Sequence, residues 1–282
     1  CFGQCLTAVG WVGGTLPELY EEDGMIEVAT SDVANGGFVV GAGLKGIRPI
    51  YVVRYQGFQW YNAPIIVNYA CKSKEIWNIS CPIFIRSIAM EGAIGPVAGS
   101  SHHSLFQRMP GSKIISPMTP KEYEYAYKEF MKDDDVYYIS EHRRSYDNTK
   151  ELRNIVVEDA DFTLFPISIT RFDSEKARII LEAQGYKINI IHQLWIKPFY
   201  FKKDWNEALN RSKFGGMVLD DDYEEGVASS IAHTMMLSSN KKVHTLGLDH
   251  RTAGFHPEVD NLPPTPEAIA EKVKSIIENK VN

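Results

Sequence analysis

The sequence predicts an α/β protein made of two doubly wound domains, each a mostly parallel sheet flanked by helices, and three observations predict it. Short β-branched runs alternate with segments of helical period along the first half. The same cadence restarts in the second half, after a polar and charged stretch from Tyr146 to Asp161 with few periodic apolar positions. The chain has 282 residues, 44% hydrophobic and 23% charged, which is enough for two ordinary globular domains. The expected division is 1–150 for the first domain, 151–161 for the linker and 162–282 for the second domain.

The elements follow in order. Gly3 to Trp11 is mixed and apolar, and because the chain opens inside what reads as a strand, a few residues are expected upstream. Ser31 to Lys45 is rich in Gly and Ala with small residues at helical spacing, Pro49 to Arg54 is a strand, Ala63 to Lys74 a helix and Pro82 to Arg86 a strand. Lys113 to Ser116 reads as a strand. Thr119 can cap a helix from Pro120 to Lys132, where proline suits the first turn, and Val136 to Ser140 is the next strand.

The second unit begins near Phe162. It reads as strand Phe162 to Ile169, helix Asp173 to Glu182, strand Lys187 to Leu194, a helix around Lys203 to Ser212, strand Gly216 to Asp220, helix Gly226 to Leu237 and strand Lys242 to Leu246. An amphipathic helix from Pro266 to Lys280 closes it.

The charge balance, 30 basic against 36 acidic residues, has no basic stripe, which argues against a nucleic-acid partner. No apolar run reaches membrane-spanning length and the N-terminus lacks a signal-type pattern, so a cytoplasmic address and no membrane partner are expected. Cys1, Cys5, Cys71 and Cys81 fit neither a redox C-x-x-C pair nor a zinc site and are read as reduced thiols.

The most informative stretch is Ala98 to Pro120, where His102 and His103 stand in a short polar loop behind a strand and the Gly-rich segment Met90 to Gly99. Imidazole titrates near neutral pH, so a histidine on a loop at a strand end can move a proton. Ser104 has no base placed by sequence, so a hydrolase triad is not expected. The acidic runs Asp133 to Asp135 and Asp220 to Asp222 read as solvated surface, and no metal ligand is assigned. Gly10 to Gly14 and Gly92 to Gly99 match no phosphate-binding pattern. Gly36, Gly41 and Gly43 are expected to permit close helix packing across a subunit interface.

Several motifs, taken together, carry a resemblance. Thr30 to Ile50 (T-S-D-V-A-N-G-G-F-V-V-G-A-G-L-K-G-I-R-P-I), Tyr55 to Phe58 (Y-Q-G-F), Pro82 to Arg86, His102 to Ser104 (H-H-S), Pro110 to Pro120 and Ile139 to His142 (I-S-E-H) resemble the β subunit of thiamine-diphosphate-dependent 2-oxo-acid dehydrogenases. Val218 to Ala232 and Leu246 to Asp249 are similar to the C-terminal transketolase-type domain of that family. The resemblance implies thiamine diphosphate as cofactor, with the aminopyrimidine held by this chain. It implies an α-type partner subunit that holds the diphosphate and Mg²⁺, in an α2β2 assembly, since the family's diphosphate motif begins G-D-G and this chain has none. The small-molecule substrate would be a 2-oxo acid, decarboxylated with acyl transfer. Split-transketolase-like ketol transfer between sugars, or a non-catalytic scaffold subunit, are the alternatives.

The resemblance also assigns residues. The family's activating glutamate falls, fourteen residues before Gly46, on Asp32, which has the charge but is one methylene shorter, while Glu27 is a weaker substitute. The alternative for Asp32 is capping of the helix behind it. Phe58, twenty-six residues after Asp32, coincides with the ring that stacks on the pyrimidine, and Tyr55 joins it among the cofactor contacts; Trp60 and Tyr61 crowd the same wall. His103 coincides with the family's catalytic loop histidine, and His102 stands where a substrate-orienting hydrogen bond is expected.

Overall fold

A computed structural model describes residues 1–4, 6, 20–91, 99–251, 258 and 261–281. The first half supplies β1 (Phe2–Gly3), β2 (Ile26–Glu27), α1 (Asp32–Leu44), β3 (Ile50–Val53), α2 (Gln59–Ile65), α3 (Cys71–Trp77), β4 (Ile83–Ala89), α4 (Ser104–Gln107), β5 (Ser112–Ile115), α5 (Pro120–Phe130) and β6 (Val136–His142). The second supplies β7 (Phe162–Pro166), α6 (Thr170–Glu182), β8 (Ile188–Ile190), β9 (Trp195–Lys197), α7 (Lys203–Arg211), β10 (Gly216–Tyr223), α8 (Val227–Ser238), β11 (Val243–Leu248) and α9 (Pro266–Val281).

Two sheets result. The first runs β2-β1-β3-β4-β6-β5-β9 and the second β11-β10-β7-β8. All pairings are parallel except β9 against β5. The central strands β4 and β6 are buried at every residue, as a parallel sheet covered on both faces requires.

α1 turns Asn35, Gly36, Val39, Val40 and Gly43 inward, the spacing of one helix face. A Cβ at Gly36 would stand 2.9 Å from Asn62 Cβ, and one at Gly43 2.7 Å from Cys81 Sγ, whereas one at Gly41 would meet nothing within 4 Å. Gly36 and Gly43 therefore serve close packing inside this chain, against Asn62 and Cys81. The helix expected at Ala63 to Lys74 is longer: a π segment, Ile66–Ala70, joins α2 to α3.

Further differences have local causes. Thr119 does not cap α5; its hydroxyl donates to Glu151 Oε2 at 2.6 Å, and Glu122 accepts the Met118 amide instead. The strand expected over Lys187 to Leu194 is β8, only three residues, and the chain then leaves the second sheet to add β9 to the edge of the first. The segments Gly10 to Gly14 and Gly92 to Ala98, and Cys5, lie outside the described residues. Cys1, Cys71 and Cys81 are free thiols. Among the described residues no helix is long and apolar enough to cross a membrane.

One apolar cluster runs from Ile83, Phe106 and Ile114 of the first unit to Phe165, Ile167 and Val218 of the second. A separate cluster seals α6 and α9 onto the outer face of the second sheet through Leu181, Ile269, Val273 and Ile277. The continuous core sets the carboxyl ends of β3, β4 and β6 against those of β7 and β10. Carboxyl ends of parallel strands are where open α/β sheets place their functional loops.

Candidate functional site

Polar residues gather where those strand ends meet. Gln56, one turn beyond β3, is fully buried, and its Nε2 donates to Ser140 Oγ at 2.8 Å and to the Ser87 carbonyl at 3.2 Å. Its Oε1 accepts the His102 amide at 2.6 Å. One side-chain amide thus ties the histidine loop to β4 and β6.

His103 is buried completely. Nδ1 lies 3.0 Å from Ser140 Oγ, and Nε2 lies 2.9 Å from Asp220 Oδ2 and 3.8 Å from Asp222 Oδ2. Burial works against a charged ring, but the carboxylates of Asp220, Asp222 and Asp221 outweigh it and push the His103 pKa up to about 9. As an imidazolium it donates from both nitrogens, to Ser140 and to Asp220.

The acidic run is therefore not solvated surface: Asp220, Asp221 and Asp222 are at most 1% exposed. Asp220 Oδ1 accepts the Asp221 amide, and Asp222 accepts the Ser104 amide at 3.0 Å. Asp221 Oδ2 accepts the hydroxyls of Ser101 at 2.8 Å and Ser168 at 2.9 Å, while Oδ1 has no hydrogen-bond partner. Burial, with Asp220 beside it, raises the Asp221 pKa despite the opposing charge of His142 and His103. These three acids were missed as site residues; the signal was their place at the end of an apolar strand. Gln56 and Ser140 stand inside the Y-Q-G-F and I-S-E-H motifs but were not singled out as site residues.

His102 is half-buried. Its Nε2 is 3.0 Å from Ser100 Oγ, and its ring meets Trp60 edge-on at 6.2 Å. Burial lowers its pKa, and the neighbouring His103 adds to this against the pull of Asp222. The two adjacent histidines are thus set apart: one charged and locked, one neutral and partly accessible. Beside them a cavity of about 370 Å³ is lined by Trp60, Ser104, Arg108, Gly226 and Ser230.

Asp32 is the first residue of α1, behind Ser31 at the cap position. It is half-buried, and Gln4 Nε2 donates to its Oδ1 at 3.3 Å. Burial raises its carboxyl pKa, against the hydrogen bonds that favour the anion. Glu27 instead accepts the Leu6 amide at an exposed position. Phe58 is half-buried with its ring centre 6.2 Å from that of Tyr55, and the Arg54 guanidinium covers the Tyr55 ring at 4.9 Å. Tyr55 and Phe58 are brought together, as are His102 and His103 through Gln56; among the described contacts none joins Asp32 to either pair.

A third set of buried charges holds the same strand ends. Arg86 of β4 and Glu141 of β6 form a bidentate pair at 2.6 and 2.7 Å, and Tyr146 donates to Glu141 at 2.8 Å. His142 and Arg144 bind Glu91 at 2.8 and 3.0 Å. Burial would raise the Glu91 pKa, but these partners hold it below the usual range.

As to metals, His103, Asp220 and Asp221 offer ligand atoms within 4.8 Å of one another, the one such group among the described residues. Both His103 nitrogens are already hydrogen-bonded, so neither presents a lone pair to an ion. Asp133 to Asp135 pair instead with Lys113, Arg48 and Lys74 at the surface.

Residues 12–149 match the family model described as transketolase, pyrimidine binding domain. The chain is 25% identical over 234 residues to the 2-oxoisovalerate dehydrogenase subunit beta of Bacillus subtilis, covering 77% of this chain and 71% of that protein. It is 23% identical over 218 residues to the pyruvate dehydrogenase E1 component subunit beta of Acholeplasma laidlawii, covering 71% and 65%. With the acetoin:2,6-dichlorophenolindophenol oxidoreductase subunit beta of Cupriavidus necator it shares 26% over 210 residues, covering 68% and 61%. The chain thus spans about two thirds of the length of these relatives, 61% to 71%. Among solved structures, a split-gene transketolase in an inactive β4 tetramer has the same fold, with a TM-score of 0.69 at 18% identity over 92% of this chain and 85% of that one.

Proposed function

We propose, from the match of residues 12–149 to the transketolase pyrimidine-binding family model, that the chain is the β-type subunit of a heteromeric thiamine-diphosphate-dependent enzyme acting on 2-oxo acids. Its likeness to proteins named as β subunits of 2-oxo-acid dehydrogenases supports this reading. The domain division at 1–150, 151–161 and 162–282 belongs to the same proposal.

The observation that carries it is Asp32. A half-buried carboxyl with a raised pKa, on the first turn of a helix, is suited to share a proton with a ring nitrogen. Phe58 offers an aromatic face and Tyr55 backs it. A carboxyl and an aromatic face are the two groups that an aminopyrimidine would use. The likeness to proteins named as β subunits supports assigning the diphosphate and Mg²⁺ to an α-type subunit, in an α2β2 assembly.

When bound, thiamine diphosphate supplies a carbon nucleophile and an electron sink for cleavage next to a carbonyl. Asp32 would be the residue that shares a proton with the pyrimidine nitrogen. His102, neutral and partly accessible, is the residue placed to exchange a proton with a substrate oxygen or steady it. His103 acts through the loop as a positioning residue, because Asp220 and Ser140 occupy both of its nitrogens.

A second reading, a non-catalytic scaffold, is favoured by the same burial of His103 and by the shorter side chain at Asp32. Purification with a G-D-G-containing partner decides between them. The enzyme reading expects stoichiometric cofactor binding by the pair but not by the lone chain, and a loss of at least ~100-fold in 2-oxo-acid turnover for Asp32→Ala. A pair without turnover that gains it in Asp32→Glu would establish the scaffold instead.

A further inference from the structure

A second cavity, also about 370 Å³, lies between α5 and the segment from His192 to Trp205, on residues that take no part in the site above. That is within the size range of small-ligand pockets. Its walls are aromatic: Tyr125, Trp195, Tyr200 and Trp205. Two of these are fixed to each other, since Trp195 Nε1 donates to Tyr125 Oη at 3.2 Å and the rings meet edge-to-face at 6.4 Å. That pair of rings is held in place without a ligand.

The polar groups differ in availability. Glu122 lines the cavity, but its carboxylate is held by Arg171 at 2.6 and 2.8 Å. Lys121 and Lys202 line it too, and Lys202 Nζ stands 4.7 Å from the Trp205 ring centre. His192 is 6% exposed, and neither of its ring nitrogens has a hydrogen-bond partner; the nearest carboxylate, Glu175, is 3.7 Å from Nε2. A buried imidazole with both nitrogens unmatched carries a desolvation cost, and a neutral one offers a donor and an acceptor.

We propose that this cavity binds a flat heteroaromatic ring bearing an anionic group, the ring between the aromatic walls with its polar edge on His192 and the anion at Lys121 and Lys202. Aromatic walls select planarity, His192 selects a ring with heteroatoms over a hydrocarbon, and the two ammonium groups select negative charge. The anionic group is a phosphate or a carboxylate, two sources that separate probes distinguish.

The test uses the full chain, with tryptophan fluorescence and calorimetry as readouts. Adenosine 5′-monophosphate represents the phosphate and nicotinate the carboxylate; adenosine lacks the anion and ribose 5-phosphate lacks the ring. Saturable quenching is expected with at least one of the two ring-bearing anions, and binding at least ~10-fold weaker with either control. The surface double variant Lys121→Glu/Lys202→Glu is expected to weaken binding ~10-fold or more, and His192→Leu to do so separately, while Phe58→Ala leaves it unchanged. The proposal is overturned if neither ring-bearing anion saturates at millimolar concentration, if the lysine variant binds as the native chain does, or if Phe58→Ala abolishes binding.

Discussion

His103 Nε2 lies 2.9 Å from Asp220 Oδ2, two side chains more than a hundred positions apart in sequence and both at 0% exposure. The pair fastens a loop of the first sheet to a strand of the second, and it carries a definite pH signature.

The His103 pKa stands at about 9 in the folded chain, against an ordinary value of about 6.5 unfolded. Its contribution is therefore complete below about pH 6.5 and is lost as pH rises through about 9, on the order of 3 kcal/mol in all. Denaturant midpoints measured from pH 6 to 10 should fall across this window, and His103→Gln should flatten that fall. An unchanged slope in the variant would assign the titration elsewhere.

Asp220 and Asp221 are neighbours with opposite roles. Asp220→Asn removes the nearest counter-charge of the His103 imidazolium, a loss of about 3–5 kcal/mol. Asp221 has a burial-raised pKa and one oxygen without a partner, so Asp221→Asn should be neutral or stabilising at pH 7 and above. Urea unfolding of the two variants side by side checks the contrast.

Arg86 and Glu141 share two hydrogen bonds in a buried cross-strand pair. Glu141→Gln or Arg86→Met alone should cost about 3–5 kcal/mol, and the double replacement much less than their sum. A double-mutant cycle by chemical denaturation measures the coupling.

Three glycines on one helix should respond differently to alanine. Gly43→Ala drives a methyl group to 2.7 Å from Cys81 Sγ, and Gly36→Ala one to 2.9 Å from Asn62 Cβ, so each should destabilise by about 1–3 kcal/mol. Gly41→Ala meets nothing within 4 Å and should stabilise by about 0.5–1 kcal/mol. Melting temperatures of the three variants decide whether the packing lies within this chain.

Much of the architecture is legible locally. β-branched runs and helical spacing place β3, β4, β6, β7 and β10 and most helices within a few residues, because those periods record which face of each element is apolar. The same reading finds Asp32 at a helix start and two histidines on a strand-end loop. It misassigns the acidic run at 220–222, because three consecutive aspartates look solvated until something opposite them is known.

By itself the sequence determined the two parallel-sheet units, the presence of a histidine loop and the family resemblance, all of which rest on patterns spanning a few tens of residues. Only the tertiary structure decided that His103 and not His102 is sealed, that Gln56 and Ser140 hold the loop, and that β9 joins the first sheet from the second half of the chain. The reason is that burying a charge is tolerable only beside its counter-charge. Asp220 and His103 acquire each other as neighbours through packing of distant segments, which no local periodicity encodes.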